Sequence, residues 1–131
     1  MNVALMIPCY IDLFCPGVGV TLELLEKLKV DVIYPFDQTC CAQPMANSGC
    51  HEEAQASEEL FIKNFSPFDH IVTPSGSCAH QLRHKFTATP DSQERRKISA
   101  GLYDPVEFLN DILQVREFLG ELQTFTTSRR C

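Results

Sequence analysis

Seven cysteines in 131 residues are the side chains of this sequence best suited to chemistry. Four of them stand out by position: Cys9, the adjacent pair Cys40 and Cys41, and Cys78. A thiolate is a soft ligand that suits zinc and iron–sulfur clusters, and it is also the nucleophile of thiol–disulfide exchange. Neighbouring side chains diverge in an extended backbone, so Cys40 and Cys41 are poorly placed to chelate one ion together. They are better suited to reaching two different metal atoms. A disulfide between them would be strained, which ranks a vicinal-disulfide enzyme last among the three chemistries.

The elements that would position these thiols can be read from apolar runs and punctuation. Asn2 to Pro8 (NVALMIP) is a short apolar run closed by proline and reads as a buried parallel strand, followed by a loop holding Cys9, Cys15 and Pro16. Residues 18–29 place Leu22, Leu25 and Leu28 at helical spacing, with Glu23, Glu26 and Lys27 on the other face. Residues 31–34 (DVIY) read as a second strand stopped by Pro35, and 36–49 as irregular chain. Residues 52–65 read as a helix with Ala54, Phe61 and Phe65 apolar, and 69–73 (DHIVT) as a third strand. A further helix is expected over 77–86, capped by Ser75. The last begins at Asp104-Pro105-Val106-Glu107, a capping-box pattern, and runs to about Val115. The expected domain spans residues 1–115, with a poorly ordered tail over 116–131.

Alternating strands and helices predict a parallel α/β sheet, a Rossmann-like three-layer arrangement. In such a sheet every strand ends on the same edge, where ligands gather. Cys9 follows the first strand, Cys40 and Cys41 the second, and Cys78 the third. Four cysteines remote in sequence should therefore converge. A single cysteine would be read as a small buried apolar residue. Four at consecutive strand ends call for a different explanation. Cys78, at the start of a helix, should ionise more readily there.

Composition narrows the function classes. Hydrophobic residues make up 44% and charged residues 21%, ordinary values for one globular domain. No run of about 18 apolar residues predicts a membrane span. The opening residues carry no positive charge and no small-residue cleavage site, so the expected location is cytoplasmic and the cysteines are expected to serve metal or redox chemistry rather than structural disulfides. The net charge of −6 disfavours nucleic acid as a partner. The basic cluster Arg95-Arg96-Lys97 sits beside Asp91 and Glu94 and reads as a solvated helix face.

Three stretches carry a family resemblance: Ile7 to Phe14 (IPCYIDLF), Asp37 to Cys50 (DQTCCAQPMANSGC) and Thr73 to Cys78 (TPSGSC). With the intervening helices they make residues 1–115 resemble the cysteine-rich CCG domain family, named for a Cys-Cys-Gly motif. That family includes iron–sulfur subunits of heterodisulfide reductase and of glycolate- and lactate-oxidising systems, and the lactate branch is the most similar. The resemblance implies a domain that binds an iron–sulfur cluster, of the 4Fe-4S kind, on Cys9, Cys40, Cys41 and Cys78. It also implies electron transfer alongside the other subunits of a lactate- or glycolate-type oxidase complex, with L-lactate oxidised to pyruvate. Zinc, in a structural or docking module, is the alternative occupant. Three departures stand out. Ala42 replaces the motif's glycine, which would strain a turn requiring positive φ. Ser75 replaces the first cysteine of the closing CxxC, leaving four thiolates. Family members carry two such repeats and this chain carries one.

Other candidates are weaker. Cys15 reads as a bystander thiol. Cys50 and His51 are expected to pack between loop and helix. His80 and His84 lie four residues apart on a predicted helix, a spacing that could bind zinc, although a polar helix face is the commoner explanation for it. No dinucleotide GxGxxG and no GxSxG nucleophile elbow is present.

Overall fold

The computed structural model describes residues 1–14, 17–86 and 89–115. Cys15, Cys131 and the tail expected over 116–131 lie outside the described residues. Four parallel strands form one sheet in the order β2-β1-β3-β4, with β1 at Asn2–Leu5, β2 at Asp31–Ile33, β3 at His70–Val72 and β4 at Leu102–Tyr103. The helices are α1 (Cys9–Phe14), α2 (Gly17–Lys27), α3 (Gln43–Asn47), α4 (His51–Phe65), α5 (Gly76–His84), α6 (Gln93–Ala100) and α7 (Pro105–Glu107). A π-helical turn, Phe108–Ile112, continues α7.

Strand alternation sorts the core into two layers. The register aligns Ala4 with Ile71 and Ile71 with Leu102. These three face one side of the sheet, where they pack with Phe61, Ile62 and Phe65 of α4, Ala79 and Leu82 of α5, and Ile98 of α6. Val3 and Val72 face the other side and pack with Leu25 of α2, Val30 and Phe108. Helices thus cover both faces of an all-parallel sheet, the α/β arrangement expected of this pattern.

Several boundaries differ from the sequence reading. The first strand ends at Leu5 rather than Pro8. Met6 still donates its N–H to the Val72 carbonyl at 2.8 Å, but the Ile7 N–H goes to the Gln38 side chain at 2.7 Å, and Pro8 has no N–H to give. The segment expected as a loop after Pro8 is helical, because the Pro8 carbonyl accepts from both Ile11 and Asp12 at 3.0 Å. The stretch 36–49 contains the short helix α3. Strand β4, two residues long, was not expected, whereas α6 bears the solvated basic helix face read at Arg95-Arg96-Lys97 and buries Ile98. The predicted caps are present. Ser75 accepts from the Cys78 N–H, and Asp104 and Glu107 form a complete capping box.

Arg83 of α5 ties the C-terminal elements together. Its guanidinium donates to the Leu102 carbonyl and pairs with Glu107 at 2.8 Å, which holds the Glu107 carboxyl below its usual range. The basic cluster on α6 is paired as well. Arg96 bonds Asp91, Lys97 meets Asp69 at 2.9 Å, and Arg95 lies over the Phe86 ring while donating to the Thr89 carbonyl. No helix among the described residues is long and apolar enough to cross a membrane.

Candidate functional site

The carboxyl edge of the sheet gathers the four cysteines from three strand ends. Cys9 opens α1 immediately beyond β1. Cys40 and Cys41 sit in the loop after β2, and Cys78 is the third residue of α5, beyond β3. The thiols meet in two contacts. The Sγ atoms of Cys9 and Cys40 are 3.4 Å apart, and those of Cys41 and Cys78 are 3.2 Å apart. Both separations are well beyond a covalent S–S bond of about 2.05 Å, and all five described cysteines are free. Cys40 and Cys41 therefore turn their side chains to different partners.

The two contacts differ in environment. Cys41 and Cys78 are buried, Cys40 is half-buried and Cys9 is exposed. The Cys41 thiol donates to Cys78, and this bond, helped by the Ser75 and Ser77 hydroxyls, lowers the Cys78 thiol to about 6 against the cost of burial. The same bond, with burial, pushes Cys41 strongly upward, so the pair carries its charge on Cys78. Burial, the contact with Cys40 and like-charge repulsion raise Cys9. Among the described residues, no three His, Cys, Asp or Glu side chains come close enough to hold one ion. The four cysteines thus share one sheet edge as two thiol pairs, with Cys40 and Cys41 in different pairs.

The backbone around the pair accounts for the two departures from the motif. Ala42 has φ 62° and ψ 2°, a left-handed conformation, and it is fully buried. Its carbonyl accepts from Ala46 at 2.9 Å and so opens α3. The chain must turn sharply after Cys41, and alanine does so in a region that costs an L-residue about 1–2 kcal/mol. Ser75 does not act as a fifth thiol would. Its Oγ caps α5 through the Cys78 N–H at 3.3 Å, lies 2.9 Å from the Tyr10 hydroxyl and lies 3.2 Å from the Ser77 hydroxyl. The serine substitution thus links α1 to the start of α5.

Two positioning residues escaped the sequence reading. Gln38 accepts from the Ile7 N–H and donates to the Leu5 and Pro35 carbonyls, each at 3.1 Å. It sews the cysteine-pair loop to the end of β1 and thereby to Cys9. Tyr10 does the same between α1 and Ser75. Both lie within the stretches that carry the family resemblance, but neither has a spacing or propensity signal of its own, since a loop glutamine and a half-exposed tyrosine are common. The packing role expected of Cys50 and His51 is not what the structure has. Both are exposed at the start of α4, and Cys50 stands at the N-cap without a side-chain cap bond, because α3 and the turn at Gly49 carry the chain out to the surface before α4 begins. His80 and His84 lie exposed on α5.

Comparison with known proteins accords with the geometry. The profile of the cysteine-rich domain family, CCG, matches residues 3–83. Lactate utilization protein A of Geobacillus kaustophilus (strain HTA426) is 42% identical over 136 residues, covering 98% of this chain and 57% of its own length. The protein of the same name from Geobacillus thermodenitrificans (strain NG80-2) is 39% identical, covering 89% of this chain and 51% of its own length. That from Halalkalibacterium halodurans (strain ATCC BAA-125) is 39% identical over 97% of this chain and 54% of its own length. The chain spans about half the length of the curated relatives it matches. No solved structure matches it. With its motif residues gathered at one sheet edge and its profile matched over most of the described chain, the protein belongs to the cysteine-rich CCG domain family.

Proposed function

We propose that this domain holds an iron–sulfur cluster on Cys9, Cys40, Cys41 and Cys78 and passes electrons within a lactate-oxidising assembly. The observation that carries the reading is the pairing of Cys40 with Cys9 and of Cys41 with Cys78 at one sheet edge. A polynuclear cluster takes one thiolate on each of several metal atoms, so it suits two separate pairs better than a single tetrahedral ion does. When bound, the cluster would supply a one-electron carrier. The chain supplies its surroundings. Cys41 and Cys78 would hold it on the core side, while exposed Cys9 would leave one side open to an electron partner. The Ser75 and Ser77 hydroxyls, already bonded toward Cys78, are placed to tune a potential through hydrogen bonds to sulfur.

The substrate is proposed from the relatives, which are named for lactate utilization. An electron-transfer domain need not touch L-lactate itself, and its partners would be the other subunits of such a complex. Anaerobic purification followed by iron and acid-labile sulfide analysis tests the reading. Several irons per chain with matching sulfide, and a broad visible absorbance, are expected. A colourless protein that takes up no iron on reconstitution would overturn it, and stoichiometric zinc without iron would point instead to a structural module.

A further inference from the structure

The exposed face of α5 carries a second constellation that the thiol site does not use. His80 and His84 lie one helical turn apart, with ring centroids 4.9 Å from each other and planes inclined at 49°. Cys78 faces the core at 2% exposure, whereas both histidines are exposed, so the imidazoles and the thiols occupy opposite faces of the helix.

We propose that His80 and His84 form a separate two-imidazole site for a borderline divalent transition ion of the zinc, nickel or copper class. The geometry is favourable. With one nitrogen of each ring turned to a shared ion at about 2.1 Å, the ion would lie about 3.2 Å from each ring centre, and rings 4.9 Å apart would subtend about 100° at it. That angle falls between the square-planar and tetrahedral values. Neutral imidazole is the ligand type these ions share, and the remaining positions are open to water.

Two further features of α5 favour a cation there. His84 is the last residue of the nine-residue helix, where the carbonyl ends concentrate partial negative charge. Arg83, Arg95 and Arg96 line the same surface pocket as His84, and each has its own partner, Arg96 on Asp91 and Arg95 on the Thr89 carbonyl. Arg83, between the two histidines in sequence, is likewise paired. Its guanidinium is committed to the Leu102 carbonyl and to Glu107.

Nickel(II) added to the full chain, followed by amide NMR, tests the site. Substoichiometric nickel should broaden amides around residues 80–84. Changing either histidine to glutamine removes a ligand itself. Each change should therefore weaken binding by at least the roughly 10–100-fold that loss of an outer-shell partner costs. Both positions are exposed, so far-UV circular dichroism of His80→Gln and His84→Gln should match the parent. Broadening around residues 80–84 that survives either substitution, or no broadening there at all, would overturn the proposal.

Discussion

The Sγ of Cys41 lies 3.2 Å from the Sγ of Cys78, joining the loop after β2 to the start of α5 across 37 positions of sequence. Cys50, nine residues further along, faces solvent at the start of α4. This contrast separates a thiol of the proposed site from one outside it. Cys41→Ser should abolish most of the visible absorbance and of the bound iron. Cys50→Ser should retain both. Equal loss in the two variants, read by absorbance and iron analysis after identical anaerobic reconstitution, would remove the distinction drawn between the pair and its neighbour.

Ala42, next to that pair, holds φ 62° with its side chain buried. Glycine would relieve the left-handed penalty of about 1–2 kcal/mol. It would lose one methyl of packing and gain unfolded-state entropy. Those two costs, about 0.8 kcal/mol for the buried methyl and about 0.4–1 kcal/mol of entropy, nearly cancel the gain, so Ala42→Gly should leave Tm within about 4 °C of the parent despite the loss of a fully buried side chain. A thermal melt checks it, and a larger fall in Tm would show that the buried methyl outweighs the backbone strain.

The sequence made much of this arrangement legible because its signals were local. Apolar runs closed by Pro8, Pro35 and Pro74 marked three strands, Leu25 and Phe61 stood among the apolar positions that marked two helices, and the Ser75 cap marked a third. Strand β4 is recruited by its neighbours rather than by its own pattern. Its two residues pair with Ile71 and Val72 only because Gly101 lets the chains approach; a Cβ there would collide with the Asp69 carbonyl. Half of helix α6 is charged and Ile98 is its one buried side chain, so no apolar period marks it. At the site, the topology of a parallel sheet foretold which cysteines would share an edge. It could not foretell that Cys40 would meet Cys9 while Cys41 met Cys78, since that depends on the turn at Ala42. Gln38 was invisible for a similar reason, because its three partners are set by the path of the loop and not by spacing.

That glutamine yields a prediction of its own. Its side chain satisfies the Ile7 N–H and two carbonyls beside the cysteine pair. Gln38→Leu would leave the Ile7 N–H without its partner and remove the side-chain donor to the Leu5 carbonyl, at a cost of about 1–3 kcal/mol, while the Pro35 carbonyl keeps the backbone N–H of residue 38. The loop carrying Cys40 would also loosen against Cys9. Urea unfolding should show the destabilisation, and a reconstituted sample should bleach faster in air. Gln38→Glu keeps the acceptor for Ile7 and loses both donors, so it should fall between the two. Wild-type stability in Gln38→Leu would mean that water replaces the side chain fully.

The pair formed by Arg83 and Glu107 makes stability depend on acid. Arg83 holds the Glu107 carboxyl below its unfolded value, with a smaller contribution from the Asp104 N–H. In the window between the folded and unfolded values the unfolded chain binds more protons than the folded one, so stability rises with pH there. The contribution is complete above the unfolded carboxyl value of about 4.3 and disappears as pH falls through the lower folded value. Glu107 is partly exposed, with 39% of its side chain accessible, so the pair is worth at most about 1 kcal/mol. Glu107→Gln should accordingly lower Tm at pH 7, and the difference from the parent should shrink as pH falls below about 4. Melts of both proteins across this range decide it: a gap that stays constant with pH would assign the effect to the cap hydrogen bond, which glutamine can still accept only in part, rather than to the charge.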